Sequence, residues 1–509
     1  MLRRMRSLLG LADGDDRPSR APSAASGQDA GKAACDVPCG FPAQAASPSV
    51  VPSASPSAQE GPACGPVLLV ARQPIFDASG EVWGYELLFR HPGSPECCSG
   101  DVDASVATAS VIADGFAMAR PALGQGQRLL VNFAEDMLLA GTPRILPPDV
   151  CGVEVLETVP ATEAVLRVLS DLKSEGYLIV VDDYAGQPGM DALLDMADIV
   201  KIDVLGRPLP DLARDVAGLR PRQCQLLAEK VEDLATHRQC EALGFSLFQG
   251  FFFSRPELVH GRRLDSSQAA KMRLLATLAR EDVNIKAATE VVRSDAALSY
   301  KLLRYINSVH FGLPVKITSI QHGISLLGTR NLVQWLCVTV LSEFDTGPIA
   351  RELIAVSALR AKFLELCASR ALLRAGQVRA GQVRAGQMGS GQMEAGQMQP
   401  EVAPLSVPRP VPQSGALFML GLFSLLEPLL CLPLAELLRS LPLMDELAEA
   451  LAEHTGPYAP WLELMEHYER GRWDEVLARG AAMGLTQVDL AMAYAGALEW
   501  SAFFHDSRE

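Results

Sequence analysis

Two rhythms of apolar and polar positions divide this chain. Between Val67 and about Leu264, short apolar runs alternate with longer stretches of helical spacing. The runs VLLVARQPIF, VWGYELLFR, RLLVNF, CGVEVLETV, LIVV (Leu178–Val181), IVKI (Ile199–Ile202), QLLAEKVE and SLFQGFFFSRP read as strands. Leu178–Val181 and the apolar residues of Ile199–Ile202 leave no polar face, as in buried parallel strands. Between the runs, Asp103–Ala119, Thr162–Glu175 and Asp233–Leu243 carry i, i+3, i+4 spacing, with Thr162 placed as an N-cap. Repeated β-then-α units predict an α/β barrel, with a doubly wound sheet as the alternative.

From Asp265 the rhythm is helical throughout. Ser266–Ala279, Glu290–Ser308, Ser319–Phe344 and Arg351–Leu373 predict a second, all-α domain over residues 265–505. Two stretches lack any apolar period. Residues 1–64 are rich in Ala, Ser, Pro, Gly and Asp and predict a disordered tail. From Arg374 to Met398 the chain repeats RAGQV, RAGQV, RAGQM, GSGQM, EAGQM, and Pro-rich sequence follows to Pro412. Glycine at every fifth position disfavours a helix, so residues 374–412 predict a disordered insertion in the helical domain.

Composition narrows the function. The 509 residues leave room for two or three domains. With 45 basic against 60 acidic residues, a net charge of −15 and no basic run, DNA, RNA and anionic membranes are poor partners. Eleven cysteines without a repeated CxxC fit a reducing compartment. Cys35 and Cys39 lack a matching second pair and read as chance. The apolar part of MLRRMRSLLG is too short for a signal peptide, and Ala416–Leu434 is broken by Glu427, Pro428 and Pro433, so no membrane span is expected. The expected location is cytoplasmic.

The candidate chemistry lies at strand ends. Asn132, Glu154 and Glu157, Asp182 and Asp183, Lys201 and Asp203, Glu229 and Glu232, and Gln249 each stand within or just after an apolar run. Buried charge is costly unless it is paired, metal-bound or at a mouth, so these positions point to the C-terminal rim of a barrel. Singly, each has a plainer reading. Asp182–Asp183, Asn132 and Gln249 suit turns, Glu157 a helix entry, and Lys201 with Asp203 an ion pair on one strand face. His322, Trp335, Phe344 and Phe251–Phe253 read as packing residues.

Taken in order the positions say more. YELLFR (Tyr85–Arg90) resembles the signature of EAL domains, with Leu87 where the name-giving alanine usually stands. VNF, VEVLE, VVDD, VKID, AEKVE and FQGFFFSRP then follow in that family's order. The helical half is similar to HDOD domains through Lys301–Leu336, and again through Ala416–Leu430 after the insertion. HDOD domains lack the His-Asp dyad of HD phosphohydrolases, and the adjacent pair here is His505–Asp506 at the C-terminus. Together the halves resemble bacterial EAL–HDOD signalling proteins.

The resemblance implies an EAL-type modified TIM barrel at 65–264, followed by an HDOD helical bundle. It implies hydrolysis of cyclic di-GMP to linear pGpG with two Mg²⁺ or Mn²⁺ ions. Such ions activate a water and shelter phosphoryl charge, and they require oxygen ligands. By the same resemblance Glu86, Asn132, Glu154 and Asp182 hold one metal, and Asp183, with Glu229 nearby, serves the second. Lys201 positions the water or offsets phosphate charge, and Glu229 joins it in catalysis. Arg90 meets a substrate phosphate, Gln249 and Glu232 support ligands or substrate, and Glu157 holds the loop after the Asp pair.

Two departures stand out. That loop reads DYAGQPGMDALL in place of the usual DFGTGYSSL, and Lys230 replaces a glycine between Glu229 and Val231, where it competes with a cation for the carboxylates. Three roles follow: a binding module that no longer turns over, a weak or regulated phosphodiesterase, and a protein-interaction adaptor indifferent to nucleotide. The altered loop favours the first and third; the retained acids favour the second, because clustered acids repel one another unless a cation offsets them. In each, the HDOD half docks a protein partner.

Overall fold

The computed structural model describes residues 69–90, 112–254, 266–279, 285–308, 316–345, 347–388, 411–441 and 443–505. The expected tail at 1–64, the first part of the helix expected at 103–119, and Cys35 and Cys39 lie outside these residues. The first half alternates strands and helices: β1 (Leu69–Asp77), β2 (Val82–Arg90), α1 (112–119), β3 (Arg128–Phe133), α2 (Glu135–Leu139), β4 (Cys151–Val155), α3 (Glu163–Ser174), β5 (Leu178–Val181), α4 (Asp191–Leu194), β6 (Ile199–Asp203), α5 (Leu209–Leu219), β7 (Gln225–Glu229), α6 (Leu234–Leu243) and β8 (Leu247–Gln249). The strands close into a barrel in chain order. β1 runs antiparallel to both β2 and β8, and the other pairs are parallel.

Local chemistry sets the element ends. Thr162 Oγ1 accepts from the Val165 amide at 3.3 Å and opens α3. Asp233 Oδ1 accepts from the Thr236 amide at 2.7 Å and opens α6, and Gly244, with φ 108°, closes it. Helix α5, which the apolar runs alone do not single out, buries Leu212, Val216 and Leu219. Inside the barrel, Ile75, Leu130, Val180, Ile199, Leu227 and Leu247 form their own apolar layer. Gly152 belongs to that layer, because a Cβ there stands 2.4 Å from Leu130 Cδ2.

The second half is helical: α7 (Ser266–Leu278), α8 (Ile285–Ser294), α9 (Ala296–Ile306), α10 (Ile320–Leu341), α11 (Pro348–Met388), α12 (Ser414–Phe423), α13 (Leu426–Leu430), α14 (Leu434–Leu438), α15 (Asp445–Glu453), α16 (Ala459–Glu469), α17 (Trp473–Ala482) and α18 (Gln487–His505). Helix α10 has the length and hydropathy of a membrane span, but most of its apolar window is buried in the helical core. Trp335 and Phe344 pack in that core as expected, whereas His322 is exposed and caps nothing beyond its own amide, which donates to Ser319.

The helix break expected at Arg374 comes later. Backbone stays helical through the first three pentapeptide copies, to Met388, and residues 389–410 lie outside the description. Each copy places Arg, Ala and Gln beside its glycine, and extending a formed helix is far cheaper than starting one. Arg374 is also tied to Asp489 of α18 by an ion pair.

An antiparallel β1–β2 hairpin has no crossover helix of its own to cover its outer face. Helices α11, α16 and α18 cover it instead. The Tyr494 hydroxyl accepts from the Arg72 amide at 3.2 Å, and the Tyr85 hydroxyl donates to Glu352 at 3.0 Å. Barrel and helices accordingly pack as one compact unit. Helices α11 and α12 meet at Gly421, where a Cβ falls 2.5 Å from the backbone nitrogen of Ala361. Gly421→Ala forces backbone from backbone, and a loss of about 1–3 kcal/mol is expected in urea unfolding. An unchanged midpoint contradicts this packing.

Candidate functional site

Successive inward side chains of a strand are two residues apart. One step from the apolar layer toward the mouth, every described strand changes character. Asn132 follows Leu130, Glu154 follows Gly152, Asp182 follows Val180, Lys201 follows Ile199, Glu229 follows Leu227, and Gln249 follows Leu247. On antiparallel β1 the same step leads back from Ile75 to Gln73, which pairs in register with Glu86 of β2. Asn132 likewise pairs with Glu154. The barrel is thus plugged by hydrocarbon and topped by a polar layer.

Lys201 is the hub of that layer and is fully buried. Its ammonium lies 2.7 Å from Glu229, 3.1 Å from Asp182 and 3.4 Å from Glu86, and it hydrogen-bonds Glu154. Burial pulls the ammonium down, but Glu154, Glu229, Glu86 and Asp182 outweigh it and hold the group well above the ordinary lysine value. Burial pushes the Glu154 carboxyl well up, Glu86 adds to this, and Lys201 opposes it. Burial also raises Glu229, to about 7, with Lys201 opposing and Asp182 and Glu86 adding. Burial thus favours the neutral forms of Glu154 and Glu229, and Lys201 works against it.

The layer fits a hard cation. Three of its acceptor oxygens, Asn132 Oδ1, Glu154 Oε2 and Gln249 Oε1, are buried without a hydrogen-bond donor. The amide of Asn132 donates to Glu86 at 3.2 Å, and that of Gln249 donates to Glu86 at 2.6 Å and Gln73 at 2.9 Å. Both side chains thereby leave their oxygens uncommitted. Orphaned oxygens at this depth are costly unless something positive meets them. With the acids turned onto Lys201, no group of three His, Cys, Asp or Glu stands in ligating geometry among the described residues.

The other expected residues lie apart from this ring. Asp183 is exposed at φ 47°, and among the described residues no hydrogen bond or ion pair joins its carboxylate to the ring. Glu157 is exposed and makes no described bond to the loop after the Asp pair. Arg90 pairs with Asp474 of α17 at 2.8 Å. Asp203 is taken by Lys230 at 2.5 Å, so Lys201 and Asp203 form no pair, and Lys230 lines the same cavity as Glu229. Above the ring opens a cavity of about 460 Å³, lined by Glu86, Glu229, Glu232, Gln249, Arg470 and Arg472 among others. Phe252 and Phe253 are buried packing residues, but Phe251 faces this cavity. Sequence reading missed Gln73, although a polar residue inside VLLVARQPIF was its signal. It also missed Arg470 and Arg472, which look like ordinary turn residues in ERGRW.

Residues 265–373 match the HDOD domain family. The uncharacterized protein YuxH of Bacillus subtilis is 32% identical over 449 residues, which span 87% of this chain and all of that protein. The cyclic di-GMP phosphodiesterase CdgJ of Vibrio cholerae is 30% identical over 436 residues, 85% of this chain and 92% of that protein. Among solved structures, BlrP1 of Klebsiella pneumoniae, in a complex with calcium and cyclic di-GMP, aligns 39% of this chain with 58% of its own at 26% identity and a TM-score of 0.33.

Two outcomes test the ring. Lys201→Met strands four crowded acids, two of them buried, so without divalent ions it loses about 3–5 kcal/mol, and Mn²⁺ restores part of this. Melting like the parent, with no response to Mn²⁺, contradicts the hub. Glu229 binds its proton more tightly folded than unfolded, so its contribution is complete at acid pH and fades as pH rises through about 7. The metal-free protein should therefore lose melting temperature between about pH 4.5 and 7 more steeply than Glu229→Gln. Parallel profiles contradict the shift.

Proposed function

The chain belongs to the family of YuxH and CdgJ, bacterial EAL–HDOD signalling proteins, and from that premise we propose that it is a metal-dependent cyclic di-GMP phosphodiesterase. One observation carries the reading. A complete ring of acids from separate strands meets uncommitted oxygens of Asn132, Glu154 and Gln249 at one mouth. In this reading Glu86, Asn132, Glu154 and Asp182 hold the ion. Mg²⁺ or Mn²⁺ bound there supplies Lewis acidity toward a phosphoryl oxygen and a water of lowered pKa. Lys201 keeps its charge and offsets that of the phosphodiester. Glu229, beside Lys201 at the mouth, accepts the proton of the attacking water. Glu232 and Gln249 brace the ring, and the product is linear pGpG.

A second reading, nucleotide binding without turnover, is favoured by Asp183. It lies outside the ring at the head of the altered loop, so a second ion has a poorer seat than the first. In both readings the chain works in the cytoplasm and its helical half docks a protein partner.

Full-length protein with cyclic di-GMP and Mn²⁺ should release linear dinucleotide. Glu154→Gln should lower the rate by more than about 100-fold, beyond the usual cost of changing a residue that only supports a ligand. Saturable heat in calorimetry without product selects the binding reading. Absence of both leaves an adaptor and sinks the nucleotide site.

A further inference from the structure

The turn between α16 and α17 brings two arginines from the helical half to the barrel mouth. Arg470 and Arg472 line the same cavity as Glu86, Glu229 and Glu232. The Arg470 guanidinium stands 4.8 Å from the centre of the Phe251 ring. Among the described residues, neither arginine has a carboxylate partner. Their neighbours differ in this respect, since Lys230 is engaged by Asp203 and Arg90 by Asp474.

The turn is seated on the barrel. Gly471 adopts φ 64°, and a Cβ there lies 2.9 Å from Leu88 Cδ1 of β2. The Gln73 side-chain amide donates to the Glu469 carbonyl at 2.9 Å. The Glu469 carboxylate is gripped by Arg360 of α11 through two bonds of 2.8 and 2.6 Å. A fork-to-fork pair of this kind, nearly buried, fixes orientation as well as distance. Hydrogen bonds thus run from Glu86 through Gln249 and Gln73 to the residue next to Arg470.

A cyclic dinucleotide carries two phosphodiesters on opposite sides of its ring, each with one negative charge. If one sits against the metal-bearing acids, the other needs a cation elsewhere, because the surrounding carboxylates repel it. Arginine suits that task by geometry as well as charge. We propose that Arg470 and Arg472 bind the non-scissile phosphodiester, so that the helical half completes the nucleotide site. This rests on the phosphodiesterase reading above, or on its binding-only variant.

The test uses the full-length protein, cyclic di-GMP and Mn²⁺, with calorimetry beside turnover. The variant Arg470→Gln/Arg472→Gln should raise Kd about tenfold or more, raise KM in step, and change kcat much less. Its affinity should also depend less on salt than the parent's. Should the double variant melt early, Arg472→Gln alone decides, since Arg472 is exposed and its loss leaves packing intact. A Kd unchanged from the parent overturns the proposal and leaves the phosphodiesterase reading standing. A parent protein that neither binds nor cleaves the nucleotide overturns both.

Discussion

One ammonium among four acids is the constraint on which the barrel depends. Lys201 sits at 0% exposure, where an isolated charge is prohibitive, and its partners arrive on four different strands. Its attraction to Glu86, Glu154, Asp182 and Glu229 is what makes their crowding tolerable without a metal. The same crowding gives any divalent ion a strong local pull, because an incoming cation relieves repulsion that one lysine offsets only in part. Stability and chemistry are therefore set by one electrostatic balance, above a hydrocarbon plug that fixes where the acids stand.

The site is uneven. Glu86, Asn132 and Glu154 stand on strands, Asp182 follows β5 directly with its amide donating to the Val155 carbonyl, and Glu86 accepts from the Asn132 and Gln249 side-chain amides. Asp183 belongs to the loop that follows, and its left-handed backbone turns it out of the ring. Residues on strands, and Asp182 through its bond to Val155, inherit the precision of the barrel, whereas Asp183 depends on loop sequence. The change to DYAGQPGMDALL falls on that weaker support.

Much of this was legible from residue order. Apolar runs marked the strands, and polar residues at their ends marked the rim, because a two-residue repeat places each one directly above an apolar neighbour. Thr162 and Asp233 announced their helices. At Arg374–Met388 the glycine content argues against starting a helix, whereas the chain there continues one already formed. Glu157 was counted by order although its exposed position joins nothing in the ring. Arg90 lies where expected in sequence, yet its partner Asp474 comes from nearly four hundred residues downstream and no local pattern announces it. The same holds for Arg470 and Arg472, whose place at the mouth arises from the packing of α16 on β1.

The β1–β2 hairpin has a further consequence. Its outward face, with Val70, Tyr85 and Leu87, is buried because α11, α16 and α18 lie on it. Excising the first 264 residues would remove that hairpin, bare the helix surfaces packed on it and take away the Gln73 anchor at Glu469. The barrel is consequently not an interchangeable module, because the helices that roof it form part of its packing.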